Sequence, residues 1–467
     1  MNANKYIGLV CICIGKHAQL ASGALQLNTT PHRVHSVLQS MRDNDLKVIS
    51  LEIKFLGGAS EVGRSGILLK DRKNILMDYG LKVNDKLEYP MPAGRVDAFI
   101  LSHAHLDHCG NAPALYHDGV PAAMGTEPTL DISELLIEDS IKINRQNKTK
   151  GHYTKKEAQL FSRNYTTHTY HERFEYENYF VSFHDAGHIP GSSIVKLEDA
   201  KTGRNIVYTG DFKLEHQTLH TGAEIVKADT LITESTYGAR DHPERAALVK
   251  MFISAVKEVV ENNGTALLPA FAVGRSQELL AMLHSNKLSG QTYLDGMSRK
   301  ATEITLKHRN YIKNWNLLTE AVDNAVLIED RQERSDVLRE GGNIIITTAG
   351  MLNGGPVLDY ITKLNSRSMI FITGYQAEGT NGRKLLDEKP LDIDGKKVAI
   401  RTPFAFYDFS AHAGQEDLHE YVKRSEPERV ICVHGDEEAA QTFKDWLELE
   451  GYEAHTPKVG ESLKLEL

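Results

Sequence analysis

Six short apolar runs in this chain stop abruptly at an acid or a histidine, and that recurrence constrains the fold more than any other feature. "ILM" is followed by Asp78, and "FIL" by Ser102 and His103. "YFVSF" leads into His184, Asp185 and then His188. "IVYTG" stops at Asp211, "LIT" at Glu234 and "ICV" at His434. Uninterrupted Val, Ile and Leu read as strands buried on both faces. Polar residues at one end of several such strands can converge on one edge, where α/β sheets carry their sites.

From residue 50 onward, short apolar runs alternate with helical patterns, the mark of an α/β or layered sandwich fold. The stretch "HPERAALVKMFISAVKEVVENNG" predicts an amphipathic helix, with Ala247, Leu248, Met251, Phe252, Ala255, Val256, Val259 and Val260 on its apolar face. Pro243 suits the first helical turn and Gly264 the stop. "TALLPAFAVGRSQELLAMLH" and "NIIITTAGMLNGGPVLDYITKL" each read as strand, loop and helix. Residues 237–398 are therefore expected to form a parallel open-sheet domain. Its loops carry glycines and hydroxyls whose neighbouring N–H groups can hold phosphate. A G-x-x-x-x-G-K-[ST] sequence does not occur, which argues against nucleoside triphosphate hydrolysis.

The four cysteines have no framework spacing, and 467 residues supply a core that needs no disulfides, so a reducing, cytoplasmic compartment is expected. The formal net charge of −9 speaks against a general nucleic-acid coat but not against a local basic groove. The Lys-rich run 144–156 is either a solvated face or part of such a groove. "YIGLVCICIG" near the N-terminus is far shorter than the ~20 residues a membrane span requires. Residues 1–50 read as an extension whose assigned start is open to revision.

The second run opens the segment "HAHLDH". Following a strand, His103 and His105 can face one ion, while Asp107 and His108 fall on the next bend and can face a second. Imidazole with carboxylate suits Zn²⁺, and also Mn²⁺ or Fe. Each ion needs further ligands from distant segments, and His188 in "DAGHIPGS" and Asp211 in "YTGDFK" follow in order. His184 is a weaker ligand candidate than His188. His216 and His220 read as surface or rim residues, and His117, His152, His168 and His171 as solvated.

"HAHLDHCG", "GHIPGSS" and "TGDFK" resemble the metallo-β-lactamase superfamily. "LITESTYG", "FSAHAG" and "VHGDEE" resemble its nucleic-acid branch, the β-CASP nucleases, which include the endonuclease subunit of the cleavage and polyadenylation specificity factor and ribonuclease J. The resemblance covers residues 52–467. It implies a four-layer αβ/βα metallo-β-lactamase sandwich, residues 51–236 and 399–467, with an inserted parallel-sheet β-CASP domain at 237–398. It further implies two zinc ions: His103, His105 and His188 on the first, Asp107, His108 and His434 on the second, and Asp211 bridging. Asp78 would orient a ligand, and Glu234 with His412 would form a hydrogen-bonded pair, His412 acting as general acid near the leaving group. Ser192, Arg275, Ser276, Thr348, Gly350 and Arg383 are the expected contacts to substrate.

The activity so implied is zinc-dependent hydrolysis of single-stranded RNA, chiefly endonucleolytic, in transcript 3′-end formation or processing. A homodimer and an RNA-processing complex are the protein partners that the resemblance admits, with no membrane. Three rivals stand beside it: a 5′-to-3′ exoribonuclease on the same chemistry, a small-molecule binuclear zinc hydrolase, and a non-catalytic RNA-binding scaffold. Glu234, His412 and the inserted domain speak against the second, and the intact ligand set against the third.

Overall fold

Two mixed sheets, each of seven strands, face one another, and a third, all-parallel sheet of six strands stands beside them in a computed structural model that describes residues 50–83 and 87–466. The extension expected over residues 1–50 lies, apart from Ser50, outside the described residues. The first sheet runs Ser462–Glu466, Ser50–Gly57, Gly66–Lys70, Asn74–Met77, Ala98–Ile100, Ala122–Gly125 and Tyr165–Thr167. The second runs Glu453–His455, Arg429–Val433, Thr230–Glu234, Asn205–Tyr208, Ser193–Asp199, Tyr179–Asp185 and Phe174–Tyr176.

Between these sheets Ile53, Phe55, Ile67 and Ile75 meet Val181, Phe183, Val195, Ile206 and Ile232 in one buried cluster. On the outer face of the first sheet, Phe99 and Leu101 pack with Ile137 and Phe161 of helices Glu127–Gln146 and Lys155–Arg163. On the outer face of the second, Val207, Leu231 and Cys432 pack with Leu418, Tyr421, Phe443 and Leu447 of helices Gln415–Ser425 and Glu437–Leu449. The result is the four-layer αβ/βα sandwich expected from the motifs.

Strand direction positions the site. Asn74–Met77, Ala98–Ile100 and Ala122–Gly125 are parallel in one sheet. Asn205–Tyr208, Thr230–Glu234 and Arg429–Val433 are parallel in the other. The runs that stop at Asp78, His103, Asp211, Glu234 and His434 are these parallel strands, so those residues share one rim of the sandwich. Asp78 and His434 sit at φ +55° and +48°. Non-glycine residues in this region are strained, and such strain gathers where function fixes the backbone.

The third sheet runs Val326–Ile328, Gln291–Asp295, Asn343–Thr347, Thr265–Pro269, Met369–Ile372 and Phe404–Phe406. Its two faces carry separate cores, one around Phe252, Leu268 and Phe371, the other around Leu267, Ile345 and Tyr360. The edge strand Phe404–Phe406 pairs with Ile370 to Ile372 and lies beyond residue 398, where the insert was expected to end. The amphipathic helix spans Arg245–Glu261 and is capped by the Glu244 carboxylate, which accepts from Ala246 N and Ala247 N. Pro243 therefore precedes the cap instead of lying in the first turn, and Met251 of the expected apolar face is exposed. Among the described residues, no helix is long and apolar enough to cross a membrane. Cys109 and Cys432 are buried free thiols.

Candidate metal centre

The rim of the sandwich gathers five imidazoles and two carboxylates into two adjoining groups that share Asp211. One group is His103, His105, His188 and Asp211, and the other is Asp107, His108, Asp211 and His434. Within each, one ligand atom per residue lies within 4.8 Å of all the others. His103 Nε2 is 3.4 Å from Asp211 Oδ2 and His108 Nε2 is 3.3 Å from Asp211 Oδ1. His434 Nδ1 is 3.2 Å from Asp211 Oδ1, and its Nε2 is 3.3 Å from Asp107 Oδ2. Two ligands of a tetrahedral ion at zinc bond lengths of ~2.0–2.1 Å stand about 3.3 Å apart. His103 Nε2, His108 Nε2 and both oxygens of Asp211 are buried without a hydrogen-bond partner. Orphaned buried polar atoms are costly unless something compensates them. Four such atoms aimed into one space fit a cation between them.

The imidazoles reach this arrangement through their other nitrogens. Asp78 is fully buried. Its Oδ2 accepts from His108 Nδ1, Ser102 Oγ and Tyr208 Oη, each at 2.7 Å, and its Oδ1 accepts from Ser102 N at 2.8 Å. Ser102 Oγ, having donated its proton to Asp78, takes one from His103 Nδ1 at 3.1 Å. His188 donates Nδ1–H to the Ala411 carbonyl at 2.8 Å. In His103 and His188 the Nε2 lone pair is left facing inward, and His108 presents one too once a metal displaces its Nε2 proton, the second-partner arrangement that fixes a ligand's tautomer. Asp78→Asn should weaken zinc binding by about 10–100-fold in a competitive chelator titration; an unchanged affinity would remove Asp78 from this role.

Protonation fits the same picture. Burial, with the crowding of neighbouring imidazoles, pushes His103 and His188 down and His105 to about 3, so these rings are neutral and able to ligate. Burial opposes charge at His108 too, but Asp211 and Asp78 outweigh it and hold its pKa well above the ordinary value. Burial likewise opposes charge on Asp211, yet His108, His434 and His412 hold its carboxyl well below the usual range. A proton on His108 thus supplies the positive charge that a metal would otherwise provide.

Beside Asp211 stands an acid–histidine pair. His412 donates Nδ1–H to Glu234 Oε2 at 2.9 Å, and the same nitrogen is 3.9 Å from Asp211 Oδ2. Glu234 is held by Phe212 N at 2.8 Å and by the Thr236 hydroxyl at 2.6 Å. Burial would lower the His412 pKa, but Glu234 and Asp211 together raise it to about 9. Neutralisation of Asp211 and Asp107 by bound cations removes two of the raising charges, so the value falls in the metal-loaded protein.

The expected substrate contacts are placed less uniformly. Ser192 is fully buried and accepts from His188 N and Ile189 N, both at 3.2 Å, so it props the loop that carries His188. Ser276 is also fully buried, donating to Phe271 O at 2.7 Å with Ser298 Oγ at 2.8 Å. Thr348 Oγ1 accepts from Met297 N at 3.3 Å, and the Gly350 carbonyl accepts from Gln376 Nε2 at 3.1 Å. Arg383 pairs with Asp387 at 3.0 Å and Glu378 at 3.5 Å. Arg275 is buried with its Nη1 unpartnered, and burial together with Arg245 pushes its pKa down to about 10. An unpartnered guanidinium nitrogen of this kind is suited to an anion.

The inserted sheet reaches the metal rim through close contacts. Gly274 (φ +75°) caps helix Arg275–Ser285, and a Cβ there would stand 2.6 Å from Ile189 Cγ2, so only glycine allows this approach. Glu278 accepts from Thr218 N at 3.0 Å and Leu219 N at 2.6 Å, in the segment following Asp211. That segment also buries His220, expected at the surface or rim, where desolvation lowers its pKa. Tyr208, Ser102, Thr236 and the Ala411 carbonyl complete the site; Ser102 was noted from sequence only as the end of an apolar run, and the others were not singled out. Of those, Tyr208 alone had a signal, as the residue preceding "TGD".

A layered α/β fold with this histidine–aspartate rim and its neighbouring acid–histidine pair defines a metal-dependent hydrolase. Residues 276–385 match the Beta-Casp domain family, and residues 397–457 the family described as "Zn-dependent metallo-hydrolase RNA specificity domain". Residues 58–243 match the anti-Pycsar protein Apyc1 family. The chain is 36% identical over 429 residues to the probable RNase MJ4 of Methanocaldococcus jannaschii, covering 89% of this chain and 100% of that protein. It is 37% identical over 435 residues to the RNase aCSPSF2 of Saccharolobus solfataricus, covering 90% and 87%. To the transcription termination factor FttA of M. jannaschii it is 34% identical, covering 85% and 68%. A solved protein of unknown function from Enterococcus faecalis shares the fold, with TM-score 0.56 and 15% identity over 89% of this chain and 100% of that one. The chain belongs to the β-CASP metallo-β-lactamase ribonuclease family, whose members are zinc-dependent hydrolases.

Proposed function

We propose that this protein is a zinc-dependent endoribonuclease that cuts single-stranded RNA during transcript 3′-end formation or processing in the cytoplasm. The observation that carries the reading is the Glu234–His412 pair at 2.9 Å, set beside the shared carboxylate of Asp211. Relatives named as ribonucleases and as transcription termination factors support the substrate class and the process.

His103, His105 and His188 would hold one zinc ion, Asp107, His108 and His434 a second, with Asp211 between them. When bound, such a pair supplies Lewis-acid stabilisation of phosphoryl oxygens and acidifies water at neutral pH. The remaining work falls to the chain. Water adds to phosphorus in line and releases one proton to solvent, the bond from phosphorus to the 3′-oxygen breaks, and His412 gives its proton to that departing oxygen. The products are a 5′-phosphate and a 3′-hydroxyl. Glu234 anchors Nδ1 of His412 and stabilises its protonated form, leaving Nε2 for the substrate. Arg275, buried at the start of its helix, lends positive charge to a neighbouring backbone phosphate, with the Thr348 to Gly350 loop and Arg383 further along the RNA path. Ser192 and Ser276 support loops instead of touching RNA.

Internally labelled RNA carrying a 5′-triphosphate or a 5′-monophosphate tests the reading, with and without chelator. Discrete internal fragments, indifferent to the 5′ end and abolished by chelator, are expected. Mononucleotides released only from the monophosphate would replace the endonuclease by a 5′-to-3′ exonuclease. No cleavage by zinc-loaded protein would refute both.

A further inference from the structure

A second group of metal-competent side chains lies outside the rim described above. His171, His184 and Glu224 each offer one ligand atom, and those atoms lie within 4.8 Å of one another. His171 Nε2 is 3.3 Å from Glu224 Oε1, and His184 Nδ1 is 3.5 Å from Glu224 Oε2. Charge-assisted N–H···O bonds run about 2.7–2.9 Å, so neither contact has the short distance of a strong direct hydrogen bond, although both lie within ion-pair reach. They are close to the roughly 3.3 Å between two ligands of a tetrahedral zinc ion. The two rings stand edge to face, with centroids 5.4 Å apart and planes at 75°, so their nitrogens approach the carboxylate from different directions.

Three separate segments supply these residues. His171 sits in the turn between strands Tyr165–Thr167 and Phe174–Tyr176, at φ +66°, with its amide donating to the Phe183 carbonyl at 2.8 Å. His184 lies in strand Tyr179–Asp185, and its Nε2 is 3.1 Å from Ser182 Oγ. Glu224 lies in the loop that follows Asp211, with its amide donating to the Asp185 carbonyl at 2.9 Å. When His184 donates Nε2–H to Ser182, its Nδ1 lone pair faces a carboxylate oxygen. Two lone pairs so opposed are reconciled by a metal ion or by a proton on Nδ1, and metal-bound histidines commonly give their second N–H to such a partner. The basic residues nearby, Arg173 and Lys196, are both paired with Glu198, at 2.9 and 3.4 Å, which offsets their charge locally.

We propose that His171, His184 and Glu224 bind a divalent transition-metal ion of the zinc class, separate from the catalytic cluster, with its fourth position open to solvent. The ion is structural. It ties the loop carrying Glu224 to the strand carrying His184, next to the two segments that deliver catalytic ligands. Gln217 of that loop donates to the Gly187 carbonyl at 2.7 Å, directly before His188, and the loop itself begins just after Asp211. The clamp therefore stiffens the approach to His188 and Asp211 from outside the site.

The test counts metal. Metal-depleted protein is equilibrated with graded free zinc, and bound zinc is measured by mass spectrometry for the wild type, E224Q, H184A, D211N and the D211N/E224Q double variant. The wild type should carry one ion more than E224Q or H184A, and D211N should keep an ion that D211N/E224Q lacks. Anomalous diffraction at the zinc edge should place that ion between His171, His184 and Glu224. Equal zinc content in wild type and E224Q, or an anomalous peak elsewhere only, would overturn the proposal. Loss or retention of zinc in D211N bears on the catalytic cluster alone, because the E224Q comparison within either background decides this site. Ser182→Ala, which removes no ligand, should weaken the extra ion by about 10-fold or more, an effect that an ion pair without metal would not show.

Discussion

Asp211→Asn is expected to reduce the zinc content of the catalytic cluster and to lower RNA cleavage by at least about 10³-fold, more than any other single conservative change. Asp211 is the one carboxylate common to both ligand groups, and its oxygens stand within 3.4 Å of His103, His108 and His434. Asparagine keeps the volume but surrenders the charge and one of the two anionic oxygens. In the metal-free protein the same substitution removes the main reason that His108 stays protonated, so its imidazole pKa should fall sharply in an NMR titration. Each readout has a clear contrary: unchanged cluster zinc with full turnover, or a His108 that titrates as before, would mean that Asp211 is not the electrostatic centre.

His412→Ala should act on turnover and leave zinc in place. A general acid contributes typically about 10²–10⁴-fold, and the loss should depend on how badly the leaving group needs a proton. RNA, whose 3′-oxygen leaves as an alkoxide, should show the full effect. An activated aryl phosphodiester, whose phenolate leaves unaided, should show little. Equal losses on both substrates would assign His412 to substrate positioning, and lost zinc would make it a ligand. The Glu234 carboxylate, which still raises the His412 pKa when cations neutralise Asp211 and Asp107, gives a second handle. A cation acid works while protonated, so the rate falls as pH rises through its pKa. Glu234→Gln removes the nearest raising charge and should move that alkaline limb to lower pH.

How far the sequence disclosed this site depends on the chemistry of each residue. Metal ligands come from a short menu of side chains at the ends of apolar runs. His103, His105, Asp107, His108, His188 and Asp211 were therefore legible as candidate ligands, His434 joined them through the family motifs, and the structure gathers all seven on one rim. Glu234 and His412 were legible through the family motifs, since nothing local pairs residues so distant in the chain. The supporting atoms were not. A backbone carbonyl such as that of Ala411 has no sequence signature, and hydroxyls such as Ser102 and Thr236 are indistinguishable from solvated ones. The edge strand Phe404–Phe406 of the third sheet falls outside the span expected for the insert because it is only three residues long and carries little pattern of its own. His220 looked polar and peripheral, yet the descent of Glu278 onto Thr218 and Leu219 buries the loop around it. The cluster of His171, His184 and Glu224 is invisible to spacing because it joins a turn, a strand and a loop.

The strand that ends in His434 lies between Thr230–Glu234 and Glu453–His455, yet it follows the whole inserted sheet in the chain. A polypeptide emerging from the ribosome makes Asp107, His108 and Asp211 early and must wait more than two hundred residues for their fourth companion. Until strand Arg429–Val433 docks beside Thr230–Glu234, that half of the rim is open and Glu234 lacks its histidine, which also arrives late, at 412. The candidate site is thus completed only late in synthesis, after the whole inserted sheet has been made. A nascent nuclease still attached to its own messenger has no finished blade with which to sever it.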